Sequence, residues 1–402
     1  MYRSEGSAAS VIVEVVIVGA GLGGLGTAAR LHEAGIKEIV ILEKADELGG
    51  VWRANRYPNI ACDTPIELYA FSFYPGEKWS ASFAPGAEIL GYLEKLAAAY
   101  KIKEMIEFGT SATRAVWNPA DSTWTVEASN GRVWRCRYLV WSGGLLSRPV
   151  VPQYPGIADF HGDMLHTTEW SDHVHLEGKS VAVVGGGATA IQVTPYVAAE
   201  AKQTFAFVRT PSYVFPHPKI SADIEPHERR QAWAHHFELI SKGRFPKNEE
   251  LIARQEAAWQ EYFDSQINDP HLRSVLTPKY RFGCKRPLFS NIYYSAMRRQ
   301  NLLAVSETIS HLTKNGIVDQ TGRDYPVDTI VWATGFAPGS MLGEMEIVGP
   351  SGGTLAEAWM DGPEAFYGTF VKGFPNLVIM SGPNAHGGNA TDFIEMQIRF
   401  FM

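Results

Sequence analysis

Apolar residues recur along this chain in runs of two lengths. Short, largely β-branched runs at 11–18, 38–42, 138–141, 180–184, 204–208, 329–332 and 377–380 read as buried strands. Longer stretches with helical character lie at 25–33, from about 191, at 228–239, at 249–263 and from about 392. The alternation of strand and helix predicts an α/β fold. From 110 to 141 the pattern changes to short alternating strands. Asn118-Pro119-Ala120-Asp121 and Asn130-Gly131 supply turns there, so a β-meander is expected. Pro149, Pro152 and Pro155 then mark an extended linker, and residues 222–276, rich in charge and aromatics, read as a helical insertion.

At 402 residues the chain exceeds one ordinary domain. The proline linker ends a first domain at 152, and a second with its insertion at about 222–276 follows from 153. A hydrophobic fraction of 45% and a charged fraction of 20% fit a globular protein. A net charge of −7 gives no global attraction to nucleic acid or to an anionic membrane surface.

Cys62, Cys136 and Cys284 form no C-x-x-C pair, which points to a reducing compartment without a structural disulfide or a metal site. It also argues against a disulfide reductase, which needs a paired dithiol. His227, His235 and His236 offer no ligand pair across one helical turn, so an exposed helix face is expected there. The run at 11–18 is interrupted by Glu14 and is too short for a signal peptide or a membrane span. The cytoplasm is the expected location.

Two of the buried runs end in glycine-rich turns that open helices. Gly19, Gly21 and Gly24 occupy the positions of G-x-G-x-x-G, where backbone amides and a helix N-terminus approach a pyrophosphate closely. Glu43 ends the next strand about twenty residues on, where an acid accepts hydrogen bonds from ribose hydroxyls. The second turn, Gly185-Gly186-Gly187-Ala188-Thr189-Ala190, reads G-x-G-x-x-A. Its following strand ends in Arg209-Thr210 rather than an acid. A guanidinium pairs with a ribose 2′-phosphate that a carboxylate would repel, so NADPH is expected over NADH.

Between the two turns stand Phe160, Gly162, His166 and Trp170, spaced F-x-G-x-x-x-H-x-x-x-W. This stretch resembles the fingerprint of type I Baeyer–Villiger monooxygenases, flavoproteins that insert oxygen beside a carbonyl. Gly49-Gly50-Val51-Trp52 and Tyr57-Pro58-Asn59-Ile60-Ala61-Cys62-Asp63 resemble a second signature of that family, with Asn59 as the one departure. Ala333-Thr334-Gly335-Phe336 is similar to its A-T-G motif, and Ser142-Gly143-Gly144 stands where a first Ala-Thr-Gly is usual.

The resemblance implies two Rossmann-like dinucleotide-binding domains, one for FAD at 1–152 that returns at 329–402 and one for NADPH at 153–328. It implies that Gly50, Trp52, Asp63, Tyr69, Ala112 and Asn389 contribute to the flavin site, the last at a helix whose N-terminus faces the pyrimidine carbonyls. It implies that Gly185, Gly187, Ala188, Thr189, Arg209, Thr210 and Lys285 hold the nicotinamide cofactor, and that Arg286 reaches the flavin. Asp63 before Thr64-Pro65 also suits a helix start, as a capping Asx-turn. Relatives continue by on the order of a hundred residues beyond the position of Met402. A more open substrate channel, or one completed by another subunit such as a homodimer partner, is therefore expected.

The implied reaction has NADPH reduce FAD, O2 form a C4a-peroxyflavin, and that species attack a ketone to give an ester or lactone. Arg286 would keep the oxygen species anionic, Asp63 would orient Arg286, and His166 would couple the two domains. Two alternatives stay open: a heteroatom-oxygenating flavin monooxygenase, and a flavoprotein that oxidises NADPH without transferring oxygen. Trp170 and Arg286 favour carbonyl oxygenation over the first, while Ser171 stands where Pro or Asp is usual.

Overall fold

The computed structural model describes residues 12–402 except 77, 172, 219–227, 229, 235–247, 338–341, 344 and 386–388. His227, His235 and His236 fall outside the described residues, as does half of the expected helix at 228–239.

Two sheets organise the chain. The first has the order Glu346–Val348, Ala112–Asn118, Thr123–Ala128, Val133–Trp141, Ile12–Val18, Ile39–Leu42, Ile106–Glu107, and Leu377–Ile379 also pairs with Val133–Trp141. The expected meander is present as two antiparallel pairings. It is not a separate unit, because the nine-residue strand Val133–Trp141 runs on to pair in parallel with Ile12–Val18. Val18, Leu42 and Trp141 lie side by side, so three strand ends meet where the first glycine turn begins.

The second sheet is wholly parallel, in the order Leu302–Val305, Gln203–Phe207, Ser180–Val184, Thr329–Trp332, Asp163–His166. Thr329–Trp332 thus belongs to the second sheet, and the next strand to pair in the first sheet is Glu346–Val348. In both sheets the strand that feeds the glycine turn has its sequence successor on one side and a later strand on the other. Such a reversal of strand order opens the crevice in which α/β sheets bind nucleotides.

Both helices begin earlier than periodicity suggests. The first spans Leu22–Glu33 and the second Ala188–Glu200. Gly23, Gly24 and Gly26 are poor helix formers, but tertiary packing decides. A methyl at Gly24 would lie 1.9 Å from the Gly19 carbonyl oxygen, and one at Gly26 would lie 2.4 Å from the Phe71 ring.

The insertion includes Glu249–Gln266 and Pro270–Leu276, capped by the Asn248 and Asp269 side chains. It is not merely appended: Trp259 and Phe263 are buried with Tyr213, Tyr293 and Tyr294 in a core shared with the second sheet.

The connections between the domains run beside each other. Pro149 and Phe336 form an antiparallel bridge, Val150 N donates to Gly335 O at 3.0 Å, and Ala337 N donates to Arg148 O at 3.0 Å. The outgoing and returning chains therefore form one short two-stranded joint.

Candidate active site

At the first turn Gly19 adopts a φ of +101°, and Gly21 is the N-cap of Leu22–Glu33 with no side-chain cap and no acid in the first turn. Gly50, at φ +56°, backs directly onto Gly21, since a methyl on Gly50 would lie 2.9 Å from Gly21 Cα. The helix N-terminus is thus left bare of side chains, which is what an anion needs. Glu43 is buried, and its carboxylate accepts from Ala20 N at 2.7 Å and Ala45 N at 2.9 Å. The acid expected to meet ribose hydroxyls also braces the glycine turn itself.

The second turn repeats the arrangement. Gly187 is the N-cap of Ala188–Glu200, again without a side-chain cap, and a methyl there would meet nothing within 4 Å. Thr189 lies in the helix's first turn. Arg209 is exposed and makes no ion pair among the described residues. Thr210 sits beside it, its carbonyl oxygen 2.6 Å from where a Gly186 methyl would stand. The Lys285 ammonium lies 5.1 Å from the Tyr280 ring centroid. Tyr280 is tied to the segment after Arg209 by Tyr213 Oη donating to its carbonyl at 2.8 Å. Arg209 stands at the strand end where an acid would repel a phosphate, which fits a phosphorylated ribose.

The loop after Gly50 carries the groups that meet between the domains. Trp52 Nε1 donates to Tyr69 Oη at 3.0 Å, the rings standing edge to face at 5.6 Å. Asp63 does not cap a helix: Pro65 is the N-cap of Ile66–Tyr69, which has no side-chain cap. Instead the Asp63 carboxylate forms an ion pair with the Arg286 guanidinium. Arg286 is half exposed, with 49% of its side chain accessible against 18% for Asp63. Asn59, the departure from the family signature, has a φ of +64°. Asn is among the few side chains that tolerate this region, so the backbone shape a Gly would allow is kept.

Packing, not the ion pair, holds this loop. Tyr57 is buried among Leu165, Trp170, Val183 and Val193 of the other domain, with Ile60 against the same cluster. Burying a large apolar side chain contributes about 1.5–3 kcal/mol, whereas a solvent-exposed ion pair contributes about 0–1 kcal/mol. The Asp63–Arg286 pair rides on a joint fixed by Tyr57.

Of the F-x-G-x-x-x-H-x-x-x-W residues, His166 and Trp170 lie at the joint, while Phe160 packs within the second domain. A methyl on Gly162 would lie 2.5 Å from Phe160 and 2.4 Å from Asp328 O, so the glycine makes room for the aromatic two places before it. Trp170 is buried, edge to face with Tyr196 at 6.0 Å. His166 is 1% exposed. Thr168 N can only donate, so it fixes Nδ1 as an acceptor at 3.2 Å, and Gly335 O can only accept, so it fixes Nε2 as a donor at 3.2 Å. The ring is the neutral Nε2–H tautomer, and burial lowers its proton affinity, opposed by the Gly335 carbonyl and Glu169. Gly335 O also receives Val150 N, so His166 grips both connecting strands at one atom.

Ala112 opens the strand Ala112–Asn118 opposite Ala128. Asn389 is the N-cap of Ala390–Phe401. Its Nδ2 donates to Leu68 O and Thr391 Oγ1, and its Oδ1 is buried without a partner among the described residues. An orphaned acceptor beside Tyr69's neighbour, at a helix N-terminus, fits a bound group with N–H donors.

Two residues here carry no sequence signature. Gln192 spans from Tyr57 to Ala61, and His217 lies tilted against Phe83, at 4.3 Å, and stacked with Phe289, at 6.4 Å. Burial lowers the proton affinity of His217, and the Asp63 charge opposes that shift. Cys62, the cysteine nearest the ion pair, is held protonated by burial and by Asp63.

Residues 16–269 match the family described as pyridine nucleotide-disulphide oxidoreductase. The chain is 35% identical to a Baeyer-Villiger monooxygenase of Streptomyces coelicolor, over 96% of this chain and 77% of that protein. It is 35% identical to a Baeyer-Villiger monooxygenase of Pseudomonas aeruginosa, over 97% and 76%. Among solved structures, an oxidized steroid monooxygenase bound to NADP superposes with a TM-score of 0.87 at 32% identity, covering 97% of this chain and 84% of that one. An open cyclohexanone monooxygenase superposes with a TM-score of 0.86 at 29% identity, covering 97% and 86%.

Proposed function

The chain belongs to the Baeyer–Villiger monooxygenases, a branch of the pyridine nucleotide-disulphide oxidoreductase family, and we propose that its Asp63–Arg286 pair is the reactive centre. It is an FAD- and NADPH-dependent monooxygenase acting on a small-molecule ketone with O2. The overall conversion takes ketone, O2, NADPH and a proton to ester or lactone, water and NADP+. The parent family's name refers to disulfide chemistry, but this chain lacks a paired dithiol and keeps Cys62 protonated.

FAD supplies oxygen activation and NADPH the hydride; the chain's residues bind, orient and set charge. Gly19, Gly21, Gly24 and Gly50 make the bare turn for the flavin dinucleotide, braced by Glu43. Trp52, Tyr69, Ala112 and Asn389 would complete the flavin site, with Asn389 Oδ1, unpaired among the described residues, as an acceptor. Gly185, Gly187, Ala188 and Thr189 receive the NADPH pyrophosphate. Arg209, Thr210 and Lys285 receive its 2′-phosphate.

Arg286 offers a fixed cation where negative charge develops on the reacting oxygen. Asp63 holds that guanidinium in place and, being the less exposed partner, limits the directions in which it can point. His166 keeps the joint between the domains in register through Gly335. No helix among the described residues is long and apolar enough to cross a membrane.

The observation that carries this reading is the Asp63–Arg286 pair, which joins a loop of the first domain to a loop of the second. Incubating the holoenzyme with NADPH, labelled O2 and a panel of cyclic, linear and steroidal ketones tests it. One labelled oxygen in an ester or lactone is the expected product. Complete conversion of consumed NADPH to hydrogen peroxide across the panel would make the chain an oxidase instead.

A further inference from the structure

The glycine turn that opens Ala188–Glu200 and the loop that carries Asp63 belong to different domains, yet one side chain touches both elements. Gln192 lies one turn into that helix. Its Nε2 donates to Ala61 O at 2.9 Å, and its Oε1 accepts from Tyr57 Oη at 2.9 Å. Its own carbonyl lies 3.4 Å from Asn59 Nδ2. A backbone carbonyl can only accept, so Ala61 fixes which end of the amide is nitrogen, and that leaves the oxygen for a Tyr57 hydroxyl that must donate.

We propose that Gln192 is a positioning residue that couples occupancy of the second dinucleotide turn to the placement of Asp63, two residues beyond Ala61. The path is short. Thr189, in the turn, also hydrogen-bonds the Tyr57 side chain, and burial keeps that hydroxyl protonated, with its pKa pushed up to about 12. From the other side the loop is held by Cys62 N donating to Ala84 O at 2.9 Å and Gly86 N donating to Ile60 O at 2.9 Å. Residues 57–62 are thus clamped between the first domain's 84–86 segment and the second domain's helix. A shift of the helix on binding a nucleotide moves Ala61, and through it Asp63 and the guanidinium paired with it. Only a side chain with a donor and an acceptor on one planar group meets both Tyr57 and Ala61. The substitution Gln192→Glu sets a carboxylate against the Ala61 carbonyl, and Gln192→Met removes the one amide that meets both Ala61 and Tyr57.

The inference rests on the reading of Asp63 and of the second turn given above, and its test does not depend on turnover. Hydrogen exchange of the peptide spanning 57–63 is measured on the FAD-loaded protein with and without saturating NADP+, for wild type, Gln192→Met, Gln192→Glu and Tyr57→Phe. NADP+ affinity is measured alongside by calorimetry. In wild type NADP+ slows this peptide by roughly fivefold or more, the lower end of ordinary coupling between sites. In both Gln192 variants NADP+ still binds but the slowing is lost, and Tyr57→Phe, the mildest change, loses part of it. Equal slowing in wild type and Gln192→Glu overturns the proposal, and so does a wild-type peptide that ignores NADP+. Loss of the slowing in an enzyme that makes no ester would leave Gln192 in its role and sink the oxygenase reading alone.

Discussion

Replacing Arg286 by Ala separates a catalytic role from a structural one, because the two predict effects of different size. The guanidinium is 49% exposed and its partner Asp63 is anchored by the packing of Tyr57, so the pair contributes about 0–1 kcal/mol to folding. In a chain of this size that is at most about 2–4 °C of melting temperature. As the fixed cation beside the reacting oxygen, the same group is worth about 2.7–4 kcal/mol, a fall of roughly 10²–10³ in the oxygenation rate. Arg286→Lys keeps the charge but loses the forked geometry, and so falls between wild type and Ala. Asp63→Asn keeps the cation but loosens it, with a smaller loss than Ala at 286. The assay follows NADPH at 340 nm, ester by gas chromatography and hydrogen peroxide in one reaction. Arg286→Ala should still bind FAD and melt near wild type while ester falls at least 100-fold. Ester formation within about tenfold of wild type would refute the reasoning. A drop of about 10 °C or more would show instead that the residue is structural.

Three further outcomes follow from the geometry. Gly24→Ala places a methyl 1.9 Å from the Gly19 carbonyl, a backbone clash that cannot relax cheaply, so the protein should purify without flavin absorbance and about 3 kcal/mol less stable; a yellow, stable variant would contradict the close approach. Arg209→Asp should raise the KM for NADPH by about 10–100-fold while leaving that for NADH unchanged or lower, and equal effects on both cofactors would remove Arg209 from the 2′-phosphate site. For His166, burial lowers the folded-state proton affinity, so the unfolded chain takes up the proton first; stability is full above about pH 6.5 and declines as pH falls from there toward the lowered value. Melting curves from about pH 8 to 5 should therefore slope less in His166→Asn than in wild type. Some slope remains because His217 is shifted in the same direction. An unchanged slope would mean that His166 is not buried neutral.

Much of this molecule is legible in its sequence where the cause is local. Both glycine turns, the strands feeding them and the missing acid at Arg209 can be read because a phosphate-cradling turn needs particular residues at adjacent positions. The helix starts are not legible, because Gly23, Gly24 and Gly26 argue against a helix by propensity. What makes them helical is contact with Gly19 and Phe71, which no window contains. The strands of the meander are visible, but not that Val133–Trp141 completes the first sheet, since that pairing joins distant segments. The Asp63–Arg286 pair is reached through resemblance, not spacing. Gln192 and His217 are invisible, for a helical Gln and a His after Pro216 carry no pattern until the partner domain is in place.

The same distinction explains what the F-x-G-x-x-x-H-x-x-x-W stretch is for. Phe160, His166 and Trp170 are buried and already engaged: Phe160 over Gly162, His166 on Gly335 O, Trp170 in the cluster that holds Tyr57. A sequence pattern usually marks a site because its side chains meet the ligand, but here none of the four needs to. Trp170 and Tyr57 share one apolar cluster, and Tyr57 belongs to the loop that ends at Asp63. His166 hydrogen-bonds Gly335 O, which also receives Val150 N of the outgoing strand. If the Asp63–Arg286 pair is the reactive centre as proposed, the motif serves it by packing the loop that ends at Asp63 against the second domain, whose Arg286 completes the pair. On this account substitutions at Trp170 should act through the ion pair's geometry, separating NADPH oxidation from ester formation without weakening either dinucleotide turn.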